Sequence, residues 1–159
     1  VSGCTLLTIA AGHGHKQLVE LLLKRGSKPD TQNSKGNTAL MAAAVTGHVQ
    51  VAETLLRHGA EINLQDSGGS TALMFAAHQG HERVVELLLR HGAEVGLQDG
   101  DGHTALTVAA CYDRPVVVLR LLRAGADMAL RTADGKTALQ IAKEKGHTEC
   151  VAAVKTFLG

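Results

Sequence analysis

Nine histidines and three cysteines are the residues through which this chain could hold a metal or attack a substrate. A His pair one helical turn apart with a Glu between them binds zinc and supplies a base, and His81-Glu82 begins that arrangement. Val85 stands where the second His must be, so no zinc pair forms. Gly135-Lys136-Thr137 has the closing residues of a loop whose backbone amides cradle phosphate, but Leu130 occupies the position of the required leading Gly. Cys4, Cys111 and Cys150 are odd in number and lack C-x-x-C spacing, which disfavours a disulfide framework and a zinc site and fits a reducing compartment. No Ser sits in a strand-turn-helix elbow that would expose it as a nucleophile. The chemistry points away from an enzyme, and no cofactor or metal is expected.

The elements that carry these residues are defined by composition and period. Aromatic residues make up 2% of the 159 residues, Phe75, Tyr112 and Phe157, so a core built on large rings is excluded. The 45% hydrophobic fraction is Ala, Leu and Val, which suits thin layers of short helices. Sixteen basic against fifteen acidic residues give a formal charge of +1, which makes no case for nucleic acid. No apolar run reaches the length of a membrane span, so no membrane insertion is expected.

A 33-residue period runs through the chain. Thr5, Thr38, Thr71, Thr104 and Thr137 each stand two residues before a Leu, at Leu7, Leu40, Leu73, Leu106 and Leu139. Ten residues after four of these threonines comes Gly-His, at His15, His48, His81 and His147, and Gly26, Gly59, Gly92 and Gly125 close each unit. Thr caps a helix start, Leu-x-x-Ala-Ala makes a short apolar stripe, and Gly-His turns the chain into a second amphipathic helix that ends at Gly. The Asn, Asp, Gly and Ser between units suit a β-turn finger. At helix-packing distances, equivalent positions such as His78 and Cys111 lie on the order of 10 Å apart, too far to share a metal.

Gly36-Asn37-Thr38-Ala39-Leu40, Ala43-Ala44, Gly47-His48 and His58-Gly59-Ala60-Glu61-Ile62-Asn63 fall in the order of an ankyrin repeat, and the resemblance covers the whole chain. It implies an all-α solenoid, an ankyrin repeat stack with β-turn fingers, divided at 1–32 (truncated at its start), 33–65, 66–98, 99–131 and 132–159. One departure is systematic. Where the family has Thr-Pro-Leu-His, the Pro site holds Leu6 or Ala, and the His site holds Thr8, Met41, Met74, Thr107 or Gln140. Loss of that His removes a usual bond to the neighbouring finger and should lower stability per repeat.

The two ends differ. Ala153-Val154-Lys155 replaces the Leu triplet, Lys143 replaces an inner-helix Ala and Leu158 replaces the closing Gly, so 132–159 is expected to be a C-terminal cap facing water. The first unit keeps Leu18, Val19, Leu21, Leu22 and Leu23, and the chain starts at Val1 in a Gly3-Cys4-Thr5 turn. A fragment cut from a longer protein, with more chain before Val1, is the expectation.

The resemblance implies that a partner lies along finger tips and the exposed inner-helix face. Position by position, the finger candidates include Lys35, Asn37, Asp101, His103, Asp134 and Lys136, flanked by Gln32, Gln65, Gln98 and Arg131. The inner-helix candidates include His78, Gln79, Cys111, Tyr112, Glu144 and Lys145, with Phe75 and Val108 half a turn earlier. Phe75 reads equally as a partner contact or as packing between repeats, and Met74, like Met41, as adaptable surface or as core. The fourth unit replaces Gly-His with Tyr112-Asp113-Arg114-Pro115, where Asp can take the left-handed turn and Pro the first helical position, leaving Arg114 as a further candidate. Leu55, Glu61 and Ile62 precede Asn63 in the order of ankyrin repeats that an oxygen-sensing hydroxylase modifies, which makes Asn63 a candidate for hydroxylation.

The expected function is a protein interaction module, binding a segment of a protein or peptide partner, inside a larger scaffold or regulatory protein. It should be intracellular, cytoplasmic or nuclear, and monomeric as a fragment. The alternative is a structural spacer with little binding of its own, which would show a uniformly charged groove. Phe75, Tyr112 and the Met pattern lean against that.

Overall fold

The computed structural model describes residues 4–159; Val1 and Gly3, from which the opening of the first unit was read, lie outside the described residues. Ten helices follow one another in five antiparallel pairs, and no strand occurs among the described residues. The inner helices are α1 (Leu6–Gly12), α3 (Ala39–Thr46), α5 (Ala72–Gln79), α7 (Ala105–Cys111) and α9 (Ala138–Lys145). The outer helices are α2 (Lys16–Lys24), α4 (Val49–Arg57), α6 (Glu82–Arg90), α8 (Pro115–Arg123) and α10 (Thr148–Leu158). Each inner helix packs on the next inner helix and each outer helix on the next outer one.

Every inner helix begins the way the threonine period predicts. The hydroxyls of Thr5, Thr38, Thr71, Thr104 and Thr137 accept the backbone N–H three residues on. Three of the residues that replace the family's His return the favour. The Met41 sulfur, the Thr107 hydroxyl and the Gln140 amide oxygen accept the N–H of their own capping Thr, at 3.5, 2.8 and 2.9 Å. Each substitute closes a reciprocal cap inside its own repeat, an arrangement that offsets part of the expected loss.

Small residues set how closely the pairs stack. Ala43, Ala44, Ala76, Ala77, Ala109 and Ala110 have no exposed surface, so successive inner helices meet through small side chains. Behind them Val51, Leu55, Val84, Val85, Leu88, Val117, Val118 and Leu121 form one continuous core between inner and outer layers.

Three further series of bonds join neighbouring units. In the turns, the His81 ring donates to the Val45 carbonyl (3.0 Å) and the His147 ring to the Ala110 carbonyl (2.9 Å). Arg114, where His is missing, donates from Nε to the His78 carbonyl (3.1 Å). At the finger tips the N–H of Ser67, Gly100 and Ala133 each donates to a carbonyl of the preceding finger, Lys35, Gly68 and Asp101. Beside them Gln32, Gln65 and Gln98 each donate to their own finger and to the next, at Gln65, Gln98 and Arg131.

The fourth turn survives without glycine because Asp113 takes φ 54°, the sole non-Gly residue of positive φ among the described residues, and Pro115 opens α8. At the two ends of the stack the surfaces are unlike. Leu6, Ile9 and Leu21 are 57%, 46% and 48% exposed, although the counterparts of Leu6 and Leu21 one period on, Ala39 and Thr54, are buried and that of Ile9, Ala42, is half-buried. At the far end Lys143 and Lys155 stand in water, and α10 runs eleven residues, to Leu158, with no Gly to stop it at nine.

Two glycines of similar backbone separate conformational strain from close approach. A Cβ on Gly47 (φ 78°) would lie 2.7 Å from the His81 ring, whereas one on Gly59 (φ 86°) meets nothing within 4 Å. Gly59→Ala should cost about 1 kcal/mol, the left-handed penalty alone. Gly47→Ala should cost about 2 kcal/mol or more in urea unfolding, because His81 must also leave its carbonyl partner. Equal losses would show that the histidine contact contributes nothing.

Candidate functional site

The groove between the fingers and the inner helices holds most of the candidate residues. Its middle is a cavity of about 450 Å³ walled by Val45, Phe75, His78, Gln79, Val108 and Tyr112, with Asp99, Asp101 and His103 on the finger side. Toward α9 it continues into a second cavity of about 360 Å³ lined by Asp101, His103, Cys111, Asp134, Lys136, Ile141, Glu144 and Lys145. Toward α1 it continues into a third, about 260 Å³, lined by Asn37, Met41, Ala42, Val45 and Phe75. The middle cavity shares Asp101, His103 and Cys111 with the one beside α9 and Val45 and Phe75 with the one beside α1, so the three form a continuous depression.

The aromatics are held differently. Phe75 is half-buried, packs on the core and also lines two of the cavities, so packing between repeats leaves part of its ring facing the groove. Tyr112 caps α7 and is 48% exposed, with its ring edge-on to His78 at a centroid distance of 3.9 Å. That contact braces the ring, which lines the middle cavity.

Charge is concentrated at the α9 side. Lys136 bridges Glu144 at 2.6 Å and Asp134 at 3.7 Å. Its hydrogen bond and charge contact with Glu144 hold the ammonium above its usual pKa. The Thr132 hydroxyl donates to the Asp134 carboxylate and holds that carboxyl below its usual range, with the Lys136 charge acting in the same direction. His103 is fixed by a 3.3 Å contact of its Nδ1 with the Thr107 hydroxyl. Asp101 offers its N–H to Asp99 and its carbonyl to Ala133, and its carboxylate forms no ion pair among the described residues.

Several candidates have other work. Met74 is 4% exposed and forms the floor of the middle cavity rather than an adaptable surface, because its helix turns it onto the neighbouring inner helices. Arg114 is half-buried in the turn ladder and does not line the groove with Tyr112. Arg131 holds the last finger, donating to the Gly135 carbonyl (2.7 Å) and to Gln140 (3.3 Å). Gln32, Gln65 and Gln98 are the ladder described above. Lys35 is exposed, with its N–H and carbonyl used by its own and the next finger. Asn37 lines the cavity near α1, and its buried Oδ1 has no partner among the described residues.

Asn63 lies outside the groove. Its amide donates to the Glu94 carboxylate (3.3 Å) and accepts the Glu94 N–H (2.9 Å), so a hydroxylase would meet a side chain clamped to the following repeat. Asp30 makes the corresponding bond to the Glu61 N–H one repeat earlier.

Sequence reasoning missed Asp99 and Ile141 as groove residues. A signal for Asp99 was available: Asn33, Asp66 and Asp99 recur at the period, and each side-chain oxygen accepts two N–H groups within its finger. That pattern marks the residue that shapes the fingertip. The period also marks Ile141, which stands at the position of Phe75 and Val108 in the last unit.

No helix among the described residues is long and apolar enough to cross a membrane. A family model described as Ankyrin repeats (3 copies) matches residues 2–66 and 58–132. A comparison with curated proteins finds no match.

No disulfide joins the three cysteines, and their surroundings predict unequal reactivity. Burial pushes the Cys150 thiol from 9.0 up to about 12, and the Asp113 carboxylate that accepts its S–H at 3.5 Å adds to the rise. Its raised pKa contributes stability that is complete below 9.0 and is lost as pH climbs toward 12. At about pH 8 an aromatic disulfide reagent should modify exposed Cys4 and half-buried Cys111 of the native chain and reach Cys150 after denaturation. Rapid native labelling of Cys150, followed by peptide mass mapping, would contradict this environment.

Proposed function

Because this chain belongs to the ankyrin repeat family, we propose that it is a protein interaction module whose groove receives a segment of another protein. Repeats of this family generally serve protein interaction, and the fold by itself does not choose the surface. The observation that supports the groove is Tyr112, an exposed ring braced by His78 over an apolar cavity that also holds Phe75 and Val108. Aromatic side chains with one face solvated and a fixed rotamer lose little entropy on binding and carry much of an interface's energy.

The partner reads as an extended segment or loop. Its anchor enters between Phe75, His78, Val108 and Tyr112, while Gln79, Asp101, His103 and Cys111 border it. Asp134, Lys136, Glu144 and Lys145 make a charged continuation, and Asn37 borders the opposite end. The chain is read as part of a larger scaffold or regulatory protein, acting inside the cell. A spacer would present a uniformly charged groove; the apolar middle cavity favours the binding reading over it.

Phage-displayed random dodecapeptides selected on the whole chain test this. Binders should lose about tenfold in affinity with Tyr112→Ala, and more when Phe75→Ala is added, with the far-UV dichroism of both variants preserved. Phe75→Leu keeps the core contact if the double variant loses stability. Binders indifferent to Tyr112 would move the contact elsewhere, and selection that yields none would favour the spacer.

A further inference from the structure

The groove is not symmetric along its length, and the asymmetry carries information about what fills it. Its α1 and middle cavities are bounded by Met41, Ala42, Val45, Phe75 and Val108, whereas four carboxylates, Asp99, Asp101, Asp134 and Glu144, line the middle and α9 cavities. Two ammonium groups, Lys136 and Lys145, oppose them. Lys136 is already committed to Asp134 and Glu144, so its field is spent within its own finger and helix. Asp101 lies where the apolar and charged cavities join, lines both, and forms no ion pair among the described residues. An acidic segment would meet an excess of like charge here. A basic one would find in Asp101 a carboxylate that forms no ion pair among the described residues.

Geometry sets the spacing. Successive inner helices lie on the order of 10 Å apart, and an extended chain advances about 3.3 Å per residue, so one repeat corresponds to about three residues of ligand. Resting on the groove reading above, we propose that the bound segment is extended, seats a bulky apolar side chain between Phe75 and Tyr112, and places a lysine or arginine within about three residues of it on the α9 side, against Asp101, which lines the same cavity. The apolar cavity beside α1 extends the hydrophobic side of the site away from this charge and thereby orders the segment's apolar and basic ends along the stack. Asp101 acts as a specificity determinant: its charge selects the partner's flank, and the cavity supplies most of the affinity.

The test is a comparison of selections on three forms of the whole chain with the same displayed dodecapeptide library. The native chain should enrich Lys or Arg within about three residues of a bulky apolar residue, and a synthetic peptide of that sequence should bind Asp101→Asn about fivefold more weakly. Asp101→Lys should shift the enriched flank to Glu or Asp. The Asp101 side chain is exposed and its finger bonds are made by its backbone, so melting temperatures of both variants should match the native chain. Binders that depend on Tyr112 but show no basic preference, and that bind Asp101→Asn unchanged, would overturn this proposal while leaving the groove reading intact. Failure to select any binder would remove both.

Discussion

The alanine pairs of the inner helices fix almost everything else about the stack. Ala43-Ala44, Ala76-Ala77 and Ala109-Ala110 have no exposed surface, and their small side chains let one repeat approach the next closely enough for polar groups to reach across. The turn residues His81, Arg114 and His147, the fingertip amides and the glutamine ladder all span that same short gap. A larger residue at an alanine would separate the helices and lengthen all three series at once. The spacing is therefore enforced by volume, and the polar ladders hold register within it.

With the stacking faces committed to alanine, variation is confined to what projects into the groove. Phe75, Val108 and Tyr112 stand at inner-helix positions where bulk does not disturb the stack, and the fingers opposite can carry charge because their shape is set by backbone bonds and by Asn33, Asp66 and Asp99. The groove can therefore differ greatly in chemistry from one repeat to the next without altering the scaffold.

How much of this the sequence shows depends on whether a residue's work lies within its own repeat. The capping threonines, the Gly-His turns and the left-handed Asp113 are local events, and their residue types announce them. Arg114, Arg131 and the glutamines look like surface residues available to a partner, and only the neighbouring repeat reveals that their donors are taken. Met74 reads as either surface or core because its period puts it at the border, and its burial against the neighbouring core residues decides for the floor. The groove's connected cavities depend on three dimensions, so the sequence located Phe75 and Tyr112 but not the way Asp99 and Ile141 complete their surroundings.

The fingers are joined more sparingly than the helices. Each tip is joined to the next by one backbone bond and one glutamine amide, whereas the helical side is a continuous packed layer. Such a body bends unevenly. Its spine resists deformation, while its open edge can fan apart at the cost of a few exposed hydrogen bonds, so the mouth of the groove is compliant even though its floor is stiff.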